Sequence, residues 1–169
     1  MKTSRIPLLS LAAALLLLPA AGQQAPASKT ATQMRRTFTS VNQKILTMAK
    51  DFPEDKYDFR LKPEMRSFGE VMIHIVSGNV YSAKAGRGEK ASWDEEDPKK
   101  YKSKAEIVAF MEKAIADSEA VIKQQPDSAF ANSLQPWLAV TEHSAEHYGL
   151  LVAYYRANGI VPPESRPKK

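Results

Sequence analysis

The sequence contains no cysteine, which excludes disulfide bonds and thiol nucleophiles. It also lacks an apolar run long enough to cross a bilayer. The longest, Ile6–Leu18, has 13 residues, whereas a membrane-spanning helix needs roughly 20. Glycine is scarce, with 7 residues, and no series of strand patterns is present. These absences indicate a single domain whose stability comes from the packing of helices.

No block of like charge is present either. The chain has 24 lysines and arginines against 19 acidic residues, and the basic residues are spread along its length. A nucleic-acid-binding surface needs basic residues concentrated in a stripe or patch, because it neutralises a continuous line of phosphates. The charge pattern therefore argues against nucleic acid as a partner.

The first 22 residues are predicted to be a signal peptide. Lys2 and Arg5 form a basic start, Ile6–Leu18 is the apolar core, and Pro19–Gly22 supplies small residues for cleavage. No cysteine follows the apolar run, so lipid attachment through an N-terminal thiol is excluded and no stable membrane anchor is expected. The mature protein is predicted to be exported, to the periplasm or the outside of the cell.

The remaining chain is predicted to be one helical domain with short ends. Residues 23–29 are a flexible lead-in, residues 30–161 form the domain, and residues 162–169 are a tail rich in proline and lysine. In the first helix of this domain the apolar residues recur every three or four positions, which is typical of an amphipathic helix. They are Met34, Phe38, Val41, Ile45, Met48 and Phe52.

Four helices in all are predicted. They run from about Thr30 to Phe52, from about Ser67 to Tyr81, from Ser103 to just before Pro126, and from about Leu134 to Ala157. The segment between the second and third, Ala85–Lys102, has two glycines, a proline and many charges and is predicted to be irregular. An extended chain of roughly 17 residues reaches about 55 Å, so this segment can return along the whole domain. We therefore expect an all-α four-helix bundle with a long crossover between the second and third helices.

The three histidines are the strongest functional signal. His143 and His147 lie four residues apart in the apolar stretch EHSAEHYGLLVAYY, so on a helix they share one face about 5–6 Å apart. His74, the only other histidine, lies in the apolar stretch FGEVMIHIVSGNVY. One divalent cation would satisfy all three imidazoles, and three separate core histidines are the alternative. With unperturbed pKa values of about 6.5, the imidazoles would release such an ion below pH ~6.

Residues one or two turns away along the two helices are predicted to line the site. Gly78 is expected to leave open space beside His74. Four side chains near the histidines are able to transfer protons and are candidates for a catalytic role by helical spacing: Glu70, Tyr81, Glu146 and Tyr154.

The segment from His143 to His147 also matches the H-x-x-E-H pattern of inverted zincin peptidases, in which the glutamate is the general base. Such peptidases need a further acidic ligand well downstream in a larger domain, and only 22 residues follow His147. We therefore set the peptidase interpretation aside. Glu146 is interpreted as an acceptor outside the metal ligands or a solvated charge, and it stays a candidate catalytic residue.

Two long stretches, RSFGEVMIHIVSGNVY (Arg66–Tyr81) and EHSAEHYGLLVAYYRANGIVPP (Glu142–Pro163), resemble the DinB-like family. The resemblance extends through Pro53–Phe59 and Lys62–Glu70 and covers about 130 residues of the mature chain. It implies a four-helix bundle of up-down-down-up topology. It also implies a divalent metal, commonly zinc or nickel, held by His74, His143 and His147.

The resemblance leaves two classes of function open. Relatives include transferases and isomerases that use a low-molecular-weight thiol, so a thiol-dependent transferase or a metal-dependent hydrolase acting on a small molecule is one class. A non-catalytic protein that binds a metal or small molecule is the other. The predicted export signal departs from the thiol-dependent relatives, whose thiols are cytosolic. Monomer and homodimer are both compatible with the sequence.

Overall fold

The fold consists of helices joined by loops. The computed structural model describes residues 28–167, and within that range it contains five α-helices and no β-strand. The helices are α1 (Lys29–Asp51), α2 (Phe68–Gly86), α3 (Lys104–Gln124), α4 (Asp127–Asn132) and α5 (Trp137–Ala157). Short 3₁₀ turns lie at Glu54–Lys56, Pro98–Lys100 and Pro163–Ser165. The predicted all-α class is confirmed.

The two ends of the chain are only partly covered. The predicted signal peptide lies outside the described residues, as do residues 23–27 of the lead-in and the last two residues of the tail. Between residues 28 and 167, no helix combines the length and apolar character needed to span a membrane. Arg166, in the predicted tail, forms a two-bond ion pair with Asp51 at the end of α1, at 2.7 and 2.6 Å.

The sequence pattern does not predict helix α4, because it indicates only that Pro126 ends the preceding helix. The chain instead resumes a helix directly after this proline. Arg35 of α1 stabilises the turn: its guanidinium binds the carboxylate of Asp127 at 2.7 Å and the backbone carbonyl of Gln125 at 2.5 Å. Phe130 is 3 % exposed and packs into the core. A six-residue helix has too few positions to display a periodic apolar pattern, so this element depends on tertiary contacts.

Two other helix ends differ from the prediction. Helix α2 continues to Gly86 rather than ending near Tyr81, because Ser82 and Ala83 are buried and still face the core. Helix α5 begins at Trp137 rather than near Leu134. The irregular segment between α2 and α3 therefore comprises residues 87–103, and it includes one 3₁₀ turn.

The core has two apolar clusters, and each contains residues from all four long helices. The aromatic cluster centres on Phe52, Phe68 and Tyr155, with the two phenylalanine rings stacked at a centroid distance of 3.8 Å. The Trp137 cluster centres on Trp137 and Phe38, whose rings meet edge to face at 5.4 Å. Each large side chain removed from water contributes about 1.5–3 kcal/mol, so these clusters hold the long helices together.

A buried polar layer separates the two clusters, with one residue from each long helix. We call Asn42, Asn79, Ser118 and Ser144 the asparagine layer; all four are fully buried. The Asn79 side-chain amide donates to Oδ1 of Asn42 at 3.1 Å, and the Ser118 hydroxyl donates to Oδ1 of Asn79 at 3.0 Å. The Ser144 hydroxyl donates to Oδ1 of Asn42 at 3.2 Å. Because a shifted helix would leave these groups unsatisfied, the layer fixes the register of the helices, including that of Ser144 beside His143.

Candidate metal centre

The three histidines lie together on facing surfaces of α2 and α5. The ring centroid of His74 is 4.9 Å from that of His143 and 4.8 Å from that of His147. The ring centroids of His143 and His147, both on α5, are 4.4 Å apart. One ring nitrogen of each residue lies within 4.8 Å of the other two, so the group can hold a metal ion. The i, i+4 spacing on α5 accounts for one pair, and the packing of α2 against α5 adds the third imidazole.

Two of the ring nitrogens are separated by a distance that fits a single cation. Nε2 of His74 and Nε2 of His143 are 3.1 Å apart. Two nitrogens bound to one zinc at about 2.0–2.1 Å are separated by roughly 2.9–3.4 Å over the usual range of angles. The other ring nitrogens of His74 and His143 are buried and have no hydrogen-bond partner among the described residues. Three neutral imidazoles are also a donor set that zinc and nickel accept.

Burial lowers the pKa of all three imidazoles. For His74 the positive charge of Arg66 lowers the pKa further, while Glu95 opposes this effect. For His143, burial and the two neighbouring histidines lower the pKa to about 4. The pKa of His147 is lowered by burial first and by His74 second. The group is therefore neutral at pH 7, which is the form that ligates a metal.

An ion pair borders the histidines on the side of α2. Glu95 lies in the irregular segment between α2 and α3, and its Oε2 is 3.0 Å from Nη2 of Arg66. Its other oxygen, Oε1, is 3.3 Å from Nδ1 of His74. Glu95 thus contacts a guanidinium and an imidazole at once, and the fixed charge next to the histidines is balanced locally.

Gly78 does not leave open space beside His74, contrary to the sequence-based expectation, because Trp93 fills it. A Cβ added to Gly78 would lie 2.7 Å from Cζ2 of this indole. The indole also stacks on Tyr81 at a centroid distance of 5.1 Å and meets His143 edge to face at 4.9 Å. The glycine therefore provides room for an aromatic side chain of the protein itself.

The two tyrosines predicted to line the site have different positions. Tyr81 stacks on Trp93, and the same indole meets His143 edge to face. Tyr154 is fully buried, and its hydroxyl donates to the backbone carbonyl of Arg66. Burial raises the pKa of the Tyr154 phenol.

The two predicted glutamates also differ. Glu70 caps helix α2: one carboxylate oxygen accepts the backbone N–H of Ser67 at 2.7 Å, and the other binds Arg60 at 2.7 Å. The hydrogen bonds found for Glu70 thus go to its own helix end and to Arg60, and none goes to a histidine. Glu146 is exposed, and its negative charge partly opposes the lowering of the His147 pKa.

A cleft of about 430 Å³ opens beside His147 and is large enough for a small molecule. Apolar side chains form much of its wall, and Arg66 and Glu64 contribute charge. The lining residues are Glu64, Met65, Arg66, Val71, His147, Leu150 and Tyr154.

Sequence reasoning missed Trp93, Glu95 and Arg66 as neighbours of the histidines. Two of them belong to the irregular segment, where no helical or strand period connects a residue to a face. The signal that was present was compositional, a tryptophan among charges in SWDEEDP. A large aromatic residue in such a segment indicates that the segment packs against the domain, although the sequence does not say where.

Comparison with known proteins agrees with this architecture. The sequence profile of the DinB superfamily matches residues 37–155, well over half of the chain, and this span contains all three histidines. A search of curated proteins returned no match. The chain belongs to the DinB superfamily.

Proposed function

We propose that this protein binds one divalent metal ion through His74, His143 and His147, with zinc or nickel as the ion. The observation that carries the proposal is the convergence of three half-buried, neutral imidazoles from two helices, with one ring nitrogen of each within 4.8 Å of the others. Nε2 of His74 and Nε2 of His143 lie 3.1 Å apart, which is within the separation of two nitrogens bound to one zinc ion.

A bound divalent ion would supply a Lewis acid with a position open to water or a small-molecule ligand. The residues of the chain determine what reaches it. Val71 and Leu150 offer apolar contact in the cleft beside His147, and Arg66 places a positive charge at its wall. We therefore propose a small molecule as the ligand of the cleft.

Non-catalytic binding is the function we favour, because most of the predicted proton-transfer groups are already engaged. Glu70 is bound to Arg60 and Ser67, and the Tyr154 hydroxyl is bound to a backbone carbonyl. Tyr81 is stacked on Trp93. The contacts of these three side chains are thus with other groups of the protein.

A metal-dependent hydrolase or a thiol-dependent transferase is the second candidate. The observation in its favour is Glu146, whose charge acts on His147 and whose carboxylate is exposed. Here the carboxylate would take up a proton from water or a thiol at the site. Glu146→Gln is expected to keep the metal and abolish turnover of small esters or thiol conjugates if this candidate is right. A variant with unchanged turnover would remove Glu146 from the mechanism.

We also propose the up-down-down-up order for the four long helices. Parallel α1 and α5 are supported by contacts at both ends: Phe38 packs on Trp137, and the Tyr155 hydroxyl donates to the carbonyl of Met48 at 2.8 Å. Parallel α2 and α3 are supported by Gly69, next to Ile107 near the start of α3, and by the packing of Val121, near the end of α3, against Gly86.

Export of the mature protein is proposed from the sequence pattern of residues 1–22. N-terminal sequencing of protein recovered outside the cytoplasm is expected to begin at about Gln23. Recovery of that protein with Met1 still attached would mean that the segment anchors the protein instead.

The metal proposal is tested by elemental analysis of the protein purified without a histidine tag and without chelators. The expected result is about one equivalent of zinc or nickel per chain. Protein that carries only trace metal after purification in buffers supplemented with both ions would overturn it.

A further inference from the structure

Glu95 lies against the side of His74 that faces away from the other histidines. Its Oε1 is 3.3 Å from Nδ1 of the ring, while Nε2 at the opposite edge is 3.1 Å from Nε2 of His143. The imidazole therefore stands between a carboxylate and the centre of the histidine group. The carboxylate contact does not meet the geometry of a hydrogen bond, so in this arrangement it is electrostatic.

A neutral imidazole carries one N–H, and its position decides which nitrogen can ligate a metal. With the proton on Nδ1, the lone pair of Nε2 points into the histidine group. A carboxylate 3.3 Å from Nδ1 favours this tautomer, since it is attracted to the N–H and repelled by a bare lone pair. Carboxylates in this position commonly orient metal-ligating histidines.

We propose that Glu95 is a positioning residue for His74, which keeps the proton on Nδ1 and presents Nε2 to the metal. The inference rests on the proposed metal binding and adds to it a residue outside the ligand set. Arg66 completes the arrangement by binding the second oxygen of the same carboxylate at 3.0 Å.

Contacts with α2 on both sides of Glu95 hold the irregular segment so that the Glu95 carboxylate lies next to His74. Two residues before Glu95, Trp93 fills the space above Gly78. One residue after it, the backbone N–H of Glu96 donates to the hydroxyl of Ser77 at 3.2 Å, and Ser77 is buried. Both anchors lie on α2 about one turn from His74, so the position of Glu95 follows from the fold of the segment.

A simple surface ion pair is the competing explanation, since the side chains of Glu95 and Arg66 are 38 % and 49 % exposed. Exposed pairs contribute little to stability, and their removal is usually silent. The two explanations differ in what removal of the carboxylate does to His74.

The test compares Glu95→Ala and Glu95→Gln with Glu96→Gln as the matched control. Glu96 is the next residue, and its carboxylate binds Lys100 at 2.9 Å rather than a histidine. Zinc affinity is measured at pH 7 by competition with a chromophoric chelator. We expect about 10- to 100-fold weaker binding for Glu95→Ala, a smaller loss for Glu95→Gln because its amide oxygen still places a partial negative charge beside the N–H, and no change for Glu96→Gln.

A second readout follows the tautomer itself. Long-range ¹H–¹⁵N correlation spectra of metal-free protein are expected to show His74 protonated on Nδ1 in the wild type and no longer so in Glu95→Ala. Unchanged zinc affinity in both Glu95 variants, or a wild-type His74 protonated on Nε2, would overturn the inference. Wild-type protein that binds neither zinc nor nickel would instead overturn the metal proposal, and the spectra would still decide the role of Glu95.

Discussion

Gly78 and Trp93 are in contact at a distance that no larger residue at position 78 would permit. A Cβ at Gly78 would lie 2.7 Å from Cζ2 of the indole and 3.3 Å from Cε2. The absence of a side chain on α2 therefore allows the irregular segment to reach the histidines, and it brings Glu95 to His74. This contact links the segment between α2 and α3 to the candidate metal centre.

Gly78→Ala is expected to displace Trp93. The added methyl group cannot fit, so the indole moves outward and its fluorescence emission shifts to longer wavelength. Trp137, the other tryptophan, is 3 % exposed and lies in a different cluster, so its emission is expected to stay constant. An unchanged emission spectrum in Gly78→Ala would contradict the contact.

Gly149→Ala is the matched control for that substitution. Gly149 also lies in the interior of a long helix, but a Cβ there would have no neighbour within 4 Å. We expect this variant to be more stable than the wild type by about 0.5–1 kcal/mol, because alanine is favoured over glycine in helices. Urea unfolding of both variants is the measurement, and Gly78→Ala is expected not to show this gain.

Much of the fold and the metal-ligand candidates could be predicted from the sequence, because both depend on short-range periodicity. The i, i+4 spacing of His143 and His147 fixes their relation on any helix. The isolation of His74 as the only other histidine pointed to it as the third member of the group. No comparable rule exists for Trp93 and Glu95, since their positions depend on how an irregular segment lies across α2.

Helical periodicity in the sequence also does not predict the asparagine layer. Asn42 and Ser118 occupy helix positions where an apolar residue would satisfy the pattern equally well. Their burial is explained only by the hydrogen bonds that they exchange with Asn79 and, through Asn42, with Ser144. Such networks join residues far apart in the sequence, so a single helix pattern does not reveal them.

Asn79→Ala is expected to destabilise the protein by about 1–3 kcal/mol, because it leaves Oδ1 of Asn42 and the hydroxyl of Ser118 with fewer buried partners. Ser118→Ala is the milder control, since Asn79 keeps its bond to Asn42. Urea unfolding curves give both values. A loss below about 0.5 kcal/mol for Asn79→Ala would mean that the layer contributes little to stability.

The pH dependence of the metal-free protein follows from the lowered pKa values of its histidines. The pKa of His143 is about 4 in the folded protein and about 6.5 in the unfolded chain, so the unfolded chain binds more protons between these values. The contribution of neutral His143 to the free energy of unfolding is fully present above pH about 6.5 and is lost as the pH falls to about 4. Urea unfolding across this range is expected to show a steeper loss for the wild type than for His143→Gln. Equal pH dependence of the free energy of unfolding in the two proteins would contradict the lowered pKa of His143.

The lowered pKa values also lower the pH at which the metal is expected to be released. Unperturbed imidazoles would release the ion below pH ~6, but burial lowers the pKa of His74, His143 and His147. Protons therefore compete less effectively, and release is expected at a more acidic pH than the sequence alone predicts. Zinc retention measured by dialysis at stepped pH values checks this, and half-release at or above pH ~6 would contradict it.

The central claim is that His74, His143 and His147 form one metal site, and a calorimetric titration tests it most directly. Tag-free protein stripped of metal is titrated at pH 7 with zinc and, separately, with nickel, alongside His143→Ala. We predict one ion per wild-type chain for at least one of the two metals and no stoichiometric binding to His143→Ala, which lacks a third of the ligand set. Absence of binding to the wild type, or equal binding to the variant, would contradict the account.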